Sequence, residues 1–181
     1  MKKKYLFLIF IGGKLDFLNI EVHDIIFCVG NLIEDTYEQI KSKYIDKVKS
    51  LHIDSYIKLK YIDGHRIALT KLSSDRLLQA DKDIKNLWFI NIGGYKKDSL
   101  EETHLYYLKV SSNRELAKKS AKSNAKLYLK GVHVDNIYKL ISGRKNSIYI
   151  DNHYFIELEN DKLKRSQELK PDWQGFIKLS D

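Results

Sequence analysis

Four short polar patterns in this chain carry groups that could do chemistry. Glu21-Val-His23 and Glu102-Thr-His104 set a carboxylate two residues before an imidazole, and His52-Ile-Asp54 and His133-Val-Asp135 set one two residues after it. On a strand, residues two apart point to the same face. A carboxylate beside an imidazole holds one ring tautomer and raises the ring's basicity, which suits general acid–base work or metal ligation. The same pairing at a strand start also satisfies the backbone groups of a neighbouring loop. Both patterns are too short and common to designate a metal by themselves, so the sequence assigns neither a metal nor a cofactor. No Ser-His-Asp or Cys-His nucleophile pattern and no dinucleotide fingerprint accompanies them. The reading therefore favours a non-catalytic module over an enzyme.

These patterns recur because one block of the chain is written twice. Residues 6–59 align with 87–140 at a constant offset of 81, with 16 identities in 54 positions, where chance gives roughly four or five. The identities include Gly12-Gly13 with Gly93-Gly94 and all four polar patterns. Beyond Leu59 the offset grows to 88, so that His65 meets His153 and the second block carries extra residues near Ser142–Ser147. Each block is too small to bury a comfortable core alone, so the two are expected to pack together.

Certain elements must position the histidines. Leu6–Ile11 is a short apolar run ended by Gly12-Gly13, which reads as a buried central strand followed by a tight turn. Val22–Val29 is the second strand. Asn31, with Glu34 three residues on, signals a helix start, and Ile33, Tyr37, Ile40, Tyr44 and Val48 recur at helical spacing. Leu51–Leu59 is the third strand, with Leu51, Ile53, Ile57 and Leu59 on one face and a kink expected near Lys60. Asp63-Gly64 signals a hairpin into a fourth strand, His65–Thr70. The second block repeats this order with a Ser112/Glu115 helix start, a buried face of Ala117, Ala121, Ala125 and Tyr128, and Asp151-Asn152 at the hairpin. The fold class is therefore α+β, as two tandem ββαββ repeats packed as a pseudo-twofold pair. The expected division is 1–70 for the first repeat, 71–85 for a connector with a short helix near Asp75–Ala80, 86–160 for the second repeat and 161–181 for a tail that docks through Trp173.

If strands two and three are parallel neighbours joined by the helix, they begin at the same sheet end. Strand one then brings its glycines beside them. Gly12, Gly13, Glu21, His23, His52 and Asp54 should converge, with Gly93, Gly94, Glu102, His104, His133 and Asp135 as the second set. His65 and His153 flank the hairpins at the far end.

Charge adds a separate candidate. The formal net charge is +8. Residues 5–70 hold eight basic and nine acidic side chains, whereas 86–151 hold twelve basic and six acidic. Arg114, Lys118, Lys122, Lys126 and Lys130 step by four residues. Such a stripe could follow nucleic-acid phosphates, or it could be a solvated helix face. Cys28 is alone, which excludes an intramolecular disulfide and fits a reducing cytoplasm. The basic and apolar start imitates a signal peptide, but the same apolar segment recurs internally at Leu87–Gly94, so it reads as a strand. No stretch is long enough to span a membrane.

Gly12-Gly13, Asn19-Ile-Glu-Val-His-Asp24, Glu34-Asp-Thr-Tyr37, Leu51-His-Ile-Asp-Ser-Tyr56 and Asp63-Gly-His-Arg66 together resemble a bacterial family, Domain of Unknown Function 1543, whose domain occurs in one or two copies per chain. The second block departs at Leu105, which stands for Asp24, and at Ala117-Lys118, which stand for Thr36-Tyr37. The resemblance implies no catalytic role. The sequence thus points to a cytoplasmic module that binds a small ligand or a protein partner. A hydrolase-like use of the His/carboxylate cluster and nucleic-acid binding through the second helix are the alternatives.

Overall fold

The computed structural model describes residues 3–71, 85–140, 147–148 and 154–179. His153, the expected connector helix and the Asp151-Asn152 hairpin lie outside the described residues. The fold is α+β. The chain runs through β1 (Tyr5–Lys14), β2 (Val22–Gly30), a 3-10 turn (Ile33–Thr36), α1 (Tyr37–Tyr44) and β3 (Lys49–Leu59). It continues through β4 (Tyr61–Ile62), β5 (His65–Lys71), β6 (Asn86–Tyr95), β7 (Thr103–Ser111) and α2 (Arg114–Ala125). It ends with β8 (Lys130–Leu140), β9 (Ser147–Ile148), β10 (Tyr154–Asn160) and β11 (Trp173–Lys178). Two compact units form, residues 1–60 with 167–181, and residues 61–166.

In the first unit the sheet order is β11-β3-β1-β2. β1 is antiparallel to both β2 and β3. Strands two and three are therefore parallel, but they are not the neighbours the sequence reading assumed. The physical reason is the composition of β1. Leu6, Phe7, Leu8, Ile9 and Ile11 are all buried, on both faces, and a two-sided apolar strand is best protected at the sheet centre. The helix-side core joins Phe7, Ile9, Ile11, Ile26, Cys28, Ile33, Ile40, Leu51 and Ile53. Gly12 and Gly13 belong to β1 itself rather than to a tight turn. The helical segment also differs from its reading. It opens as the 3-10 turn, and the carboxylate that receives the Asn31 and Leu32 N–H groups is Asp35.

β3 breaks at Lys60, after which β4 belongs to another sheet, and it also carries a β-bulge at Asp54. Phe10 pairs with Ser55 and Ile11 with Ile53, so Asp54 is the extra residue of a β-bulge. The bulge inverts face parity. Leu51 and Ile53 join the helix-side core, while Ile57 and Leu59, also buried, lie outside that cluster. The tail returns as β11. Trp173 pairs with Tyr56 and stacks on it, with ring centroids 5.8 Å apart.

In the second unit the sheet is β7-β6-β8-β9, and a second sheet has the order β10-β5-β4. β6 is antiparallel to β7 and β8. Every pairing matches the first unit's β1 ladders at an offset of 81, from Asn86↔Ser111 to Tyr95↔Lys130. Asn113, one residue after the expected Ser112, caps α2 by accepting the Leu116 N–H at 2.9 Å. Ala117, Ala121 and Ala125 pack on Trp88, Ile90 and Ile92. Tyr128 was expected on that buried face, but the helix ends before it. It is exposed and Leu129 is buried instead. The fourth strand of the first block, β5, does not join the sheet of β1–β3. β11 takes that edge of β3, and β5 pairs antiparallel with β10. Asp63 and Gly64, at φ 45° and 75°, make the left-handed turn before β5.

Candidate functional site

The β1 ladders decide which polar residues meet. Gly12 sits opposite His23 on β2 and opposite His52 on β3. Glu21, His23, His52 and Asp54 therefore come together beside Gly12 but not Gly13, with the glycine strand between the two histidine strands. His23 Nε2 lies 3.4 Å from Glu21 Oε1 and 3.6 Å from Asp54 Oδ2. His52 Nε2 lies 3.2 Å from Asp54 Oδ1 and 3.9 Å from Glu21 Oε2. Each carboxylate turns one oxygen toward each imidazole. Gly12 is the floor of this cluster, since a Cβ there would stand 2.5 Å from His52 Nε2.

The second set has the same plan. His104 Nε2 lies 3.1 Å from Glu102 Oε2 and 3.6 Å from Asp135 Oδ2. His133 Nε2 lies 2.8 Å from Glu102 Oε1 and 3.1 Å from Asp135 Oδ1. A Cβ on Gly93 would stand 2.7 Å from both Glu102 Oε1 and His133 Nε2 and 2.8 Å from Asp135 Oδ2. Donor atoms of Glu102, His133 and Asp135 all lie within 4.8 Å of one another.

Two bulges hold the second histidine of each set. Asp54 and Asp135 are the extra residues of the first, which aims their carboxylates at the cluster. The second register shift falls between Gly12 and Lys14, and between Gly93 and Tyr95. There Ser50 and Gly131 adopt φ 51° and 61°. Their carbonyls accept hydrogen bonds from His52 Nδ1 at 2.7 Å and His133 Nδ1 at 3.0 Å. With the proton on Nδ1, the Nε2 lone pair of each ring faces the carboxylates. The bond to the Gly131 carbonyl, helped by Asp135 and Glu102, holds the His133 pKa above the ordinary imidazole value. Asp54 Oδ2 and Glu102 Oε1 are buried atoms that receive no hydrogen bond.

The sets differ in cover. The His52 side chain is 4% exposed and the His133 side chain 47%. Phe176 of β11 stacks on His52 at 4.3 Å, and Phe10 stacks on His23 at 5.6 Å. Tyr95 only tilts toward His133, at 6.5 Å. Asp24 accepts from the Tyr44 hydroxyl at 2.5 Å. Burial first, then that carboxylate, pushes the Tyr44 phenol far up. The aligned residues of the second block are Leu105 and Ala125, so both members of this pair are replaced together.

Other expected residues lie elsewhere. Gly13 and Gly94 do not touch the polar clusters. A Cβ on Gly13 would meet Val48 Cγ1 at 2.2 Å, and one on Gly94 would meet Leu129 Cβ at 3.0 Å, so both serve close packing. His65 is buried after its turn and bonds the Asp63 carbonyl through Nδ1 at 2.8 Å. Of the basic stripe, Lys130 belongs to β8, and Arg114 and Lys118 each lie 3.7 Å from Glu115. Lys118 and Lys122 are half-buried rather than fully exposed. The roles of Ser50, Gly131 and Phe176 escaped the sequence reading. Ser50 and Gly131 are not identical, and Phe176 has no counterpart within the repeat. The constant distance of two residues from Ser50 to His52 and from Gly131 to His133 was the one available signal.

Residues 18–69, which hold the first cluster apart from Gly12, match the family model described as Domain of Unknown Function (DUF1543). Over nearly the whole length of both proteins the chain is similar to Il1583 from Idiomarina loihiensis, known from a crystal structure. That match has 30% identity, covers 98% of this chain and 99% of the other, and superposes with a TM-score of 0.70. No curated protein matches.

Proposed function

We propose that this chain, which belongs to the same family as the Idiomarina loihiensis protein, is a small-ligand-binding module built by internal duplication. Each copy takes a ligand over a glycine floor, between a Glu-x-His strand and a His-x-Asp strand. The observation that carries this reading is the placement of Gly12 and Gly93. Each pairs with one histidine on either side, and each lacks the Cβ that would fill the space among the polar groups. A purely structural histidine needs its own hydrogen bonds. It does not need two carboxylates, a second imidazole and an emptied backbone position.

The duplication is supported by the common register of the ladders and by both bulges recurring at the offset of 81. The β5–β10 ladder adds to it. Arg66 pairs with Glu159 and Lys71 with Tyr154. At the sequence offset of 88 those two pairings exchange, so the ladder is locally self-complementary, as about a twofold axis. The cluster itself consists of proton- and cation-binding groups. Cys28 is buried and sits opposite Phe7, away from Gly12. This favours binding over nucleophilic chemistry.

Gly12→Ala and Gly93→Ala, single and combined, test the proposal. Melting temperatures are read against a panel of divalent cations, inorganic phosphate, acetate, succinate and imidazole. At least one solute should stabilise the wild type, the single variants should lose part of that response and the double variant all of it. Identical responses from the wild type and a folded double variant would refute the binding reading.

A further inference from the structure

We infer that the ligand of the open cluster is a first-row divalent transition-metal ion, held by Glu102, His133 and Asp135. The inference rests on the binding reading and names its ligand.

The donor set is the first argument. An imidazole nitrogen with two carboxylates suits zinc, cobalt, nickel, manganese or ferrous iron better than magnesium or calcium, which prefer oxygen alone. Geometry is the second. Metal–nitrogen and metal–oxygen bonds of about 2.0–2.2 Å, at octahedral or tetrahedral angles, set neighbouring donors roughly 2.8–3.6 Å apart. The four nitrogen–oxygen separations in the open copy run from 2.8 to 3.6 Å. In the covered copy they run from 3.2 to 3.9 Å. In the open copy one donor atom each of Glu102, His133 and Asp135 lies within 4.8 Å of the others, the size of a coordination shell, whereas separations in the covered copy reach 3.9 Å, beyond the spacing of neighbouring donors.

The third argument is the direction of the lone pairs. The Gly131 carbonyl takes the Nδ1 proton of His133. This is the outer hydrogen bond that commonly fixes a ligating histidine. The Nε2 lone pair then faces Glu102 Oε1, 2.8 Å away, yet that buried oxygen receives no hydrogen bond. Two such atoms this close need either a proton on the nitrogen or a cation bonded to both. A metal ion bonded to both satisfies the nitrogen, the orphaned oxygen and the remaining carboxylate together. Gly93 leaves the room beneath it, since any Cβ would touch three of the donors.

Phe176 stacks over His52 in the covered copy, whereas His133 is half exposed, so an ion can reach the open one. The full chain, stripped with a chelator and dialysed, is titrated with Zn²⁺ by calorimetry and with Co²⁺ by visible absorption. The expected result is one equivalent per chain, with Co²⁺ giving ligand-field bands. His133→Ala should remove that equivalent, and circular dichroism should show that the variant is folded. Gly131→Pro removes no ligand and keeps the carbonyl but disturbs its bulge, and should weaken that equivalent by about 10–100-fold, the usual effect of losing an outer-shell partner. Uptake no greater than that of a folded chain lacking all four histidines overturns the inference, as does Mg²⁺ competing on equal terms with Zn²⁺. If metal uptake is absent while another solute still stabilises the wild type and not the glycine variants, the binding reading stands and the metal assignment falls. If nothing binds, both fall.

Discussion

His52 and His133 occupy the same place in the two blocks, so replacing each by alanine isolates the effect of cover. His52 is buried under Phe176, and its ring bonds the Ser50 carbonyl. His52→Ala removes that ring, leaves a cavity beneath Phe176 and orphans the carbonyl. Orphaning a buried partner costs about 1–3 kcal/mol, and cavity formation adds to it. The expected loss is roughly 2–4 kcal/mol for these two terms together. Relief of crowding around the cluster offsets part of this, so the lower half is the better guide. His133 is half exposed and water can replace its contacts, so His133→Ala should cost no more than about 0.5 kcal/mol. At roughly 2–4 °C per kcal/mol for a chain of this size, the difference is readable in a melt. Urea titration of the metal-free variants, followed by circular dichroism, gives the free energies. Equal losses at the two positions would refute the reasoning, because cover by β11 would then contribute nothing to the first site.

Ser50 is a non-glycine residue at φ 51°, where the second block has Gly131 at φ 61°. Ser50→Gly should stabilise the chain by about 1 kcal/mol and Gly131→Ala should destabilise it by about as much, through the left-handed backbone penalty. Opposite signs in urea titrations would sink the assignment of both bulges. Asp161 accepts three hydrogen bonds from Arg165, two from the guanidinium and one from the backbone. These bonds, with the charge of Arg165, hold the Asp161 carboxyl well below the usual carboxylate range. A depressed folded-state pKa stabilises above the unfolded value of about 4 and loses that contribution as pH falls further. Wild type should therefore exceed Asp161→Asn in stability at pH 7, with the gap closing below about pH 4. A gap that does not change with pH would contradict the ion pair.

The sequence by itself determined the repeated block, the α+β class and which residues could form a site. Strands that align without a gap keep the same register here, so the offset of 81 carries straight into the ladders. Side-chain alternation ties Glu21 to His23 and His52 to Asp54 without any knowledge of the sheet. Local patterning could not give the strand order. The apolar run of β1 marks it as a central strand, but nothing in it says which strands flank it. The bulges at Asp54 and Ser50 were equally hidden, because they exist only as a mismatch between two paired strands. The glycines read as a turn for the same reason. Their lack of a Cβ acquires meaning only when His52 and His133 lie across the ladder from them. What separates the two sites, the Phe176 ring over one and solvent over the other, was decided by tertiary structure alone. The residue that covers His52 comes from more than a hundred positions away, through a strand that pairs with β3.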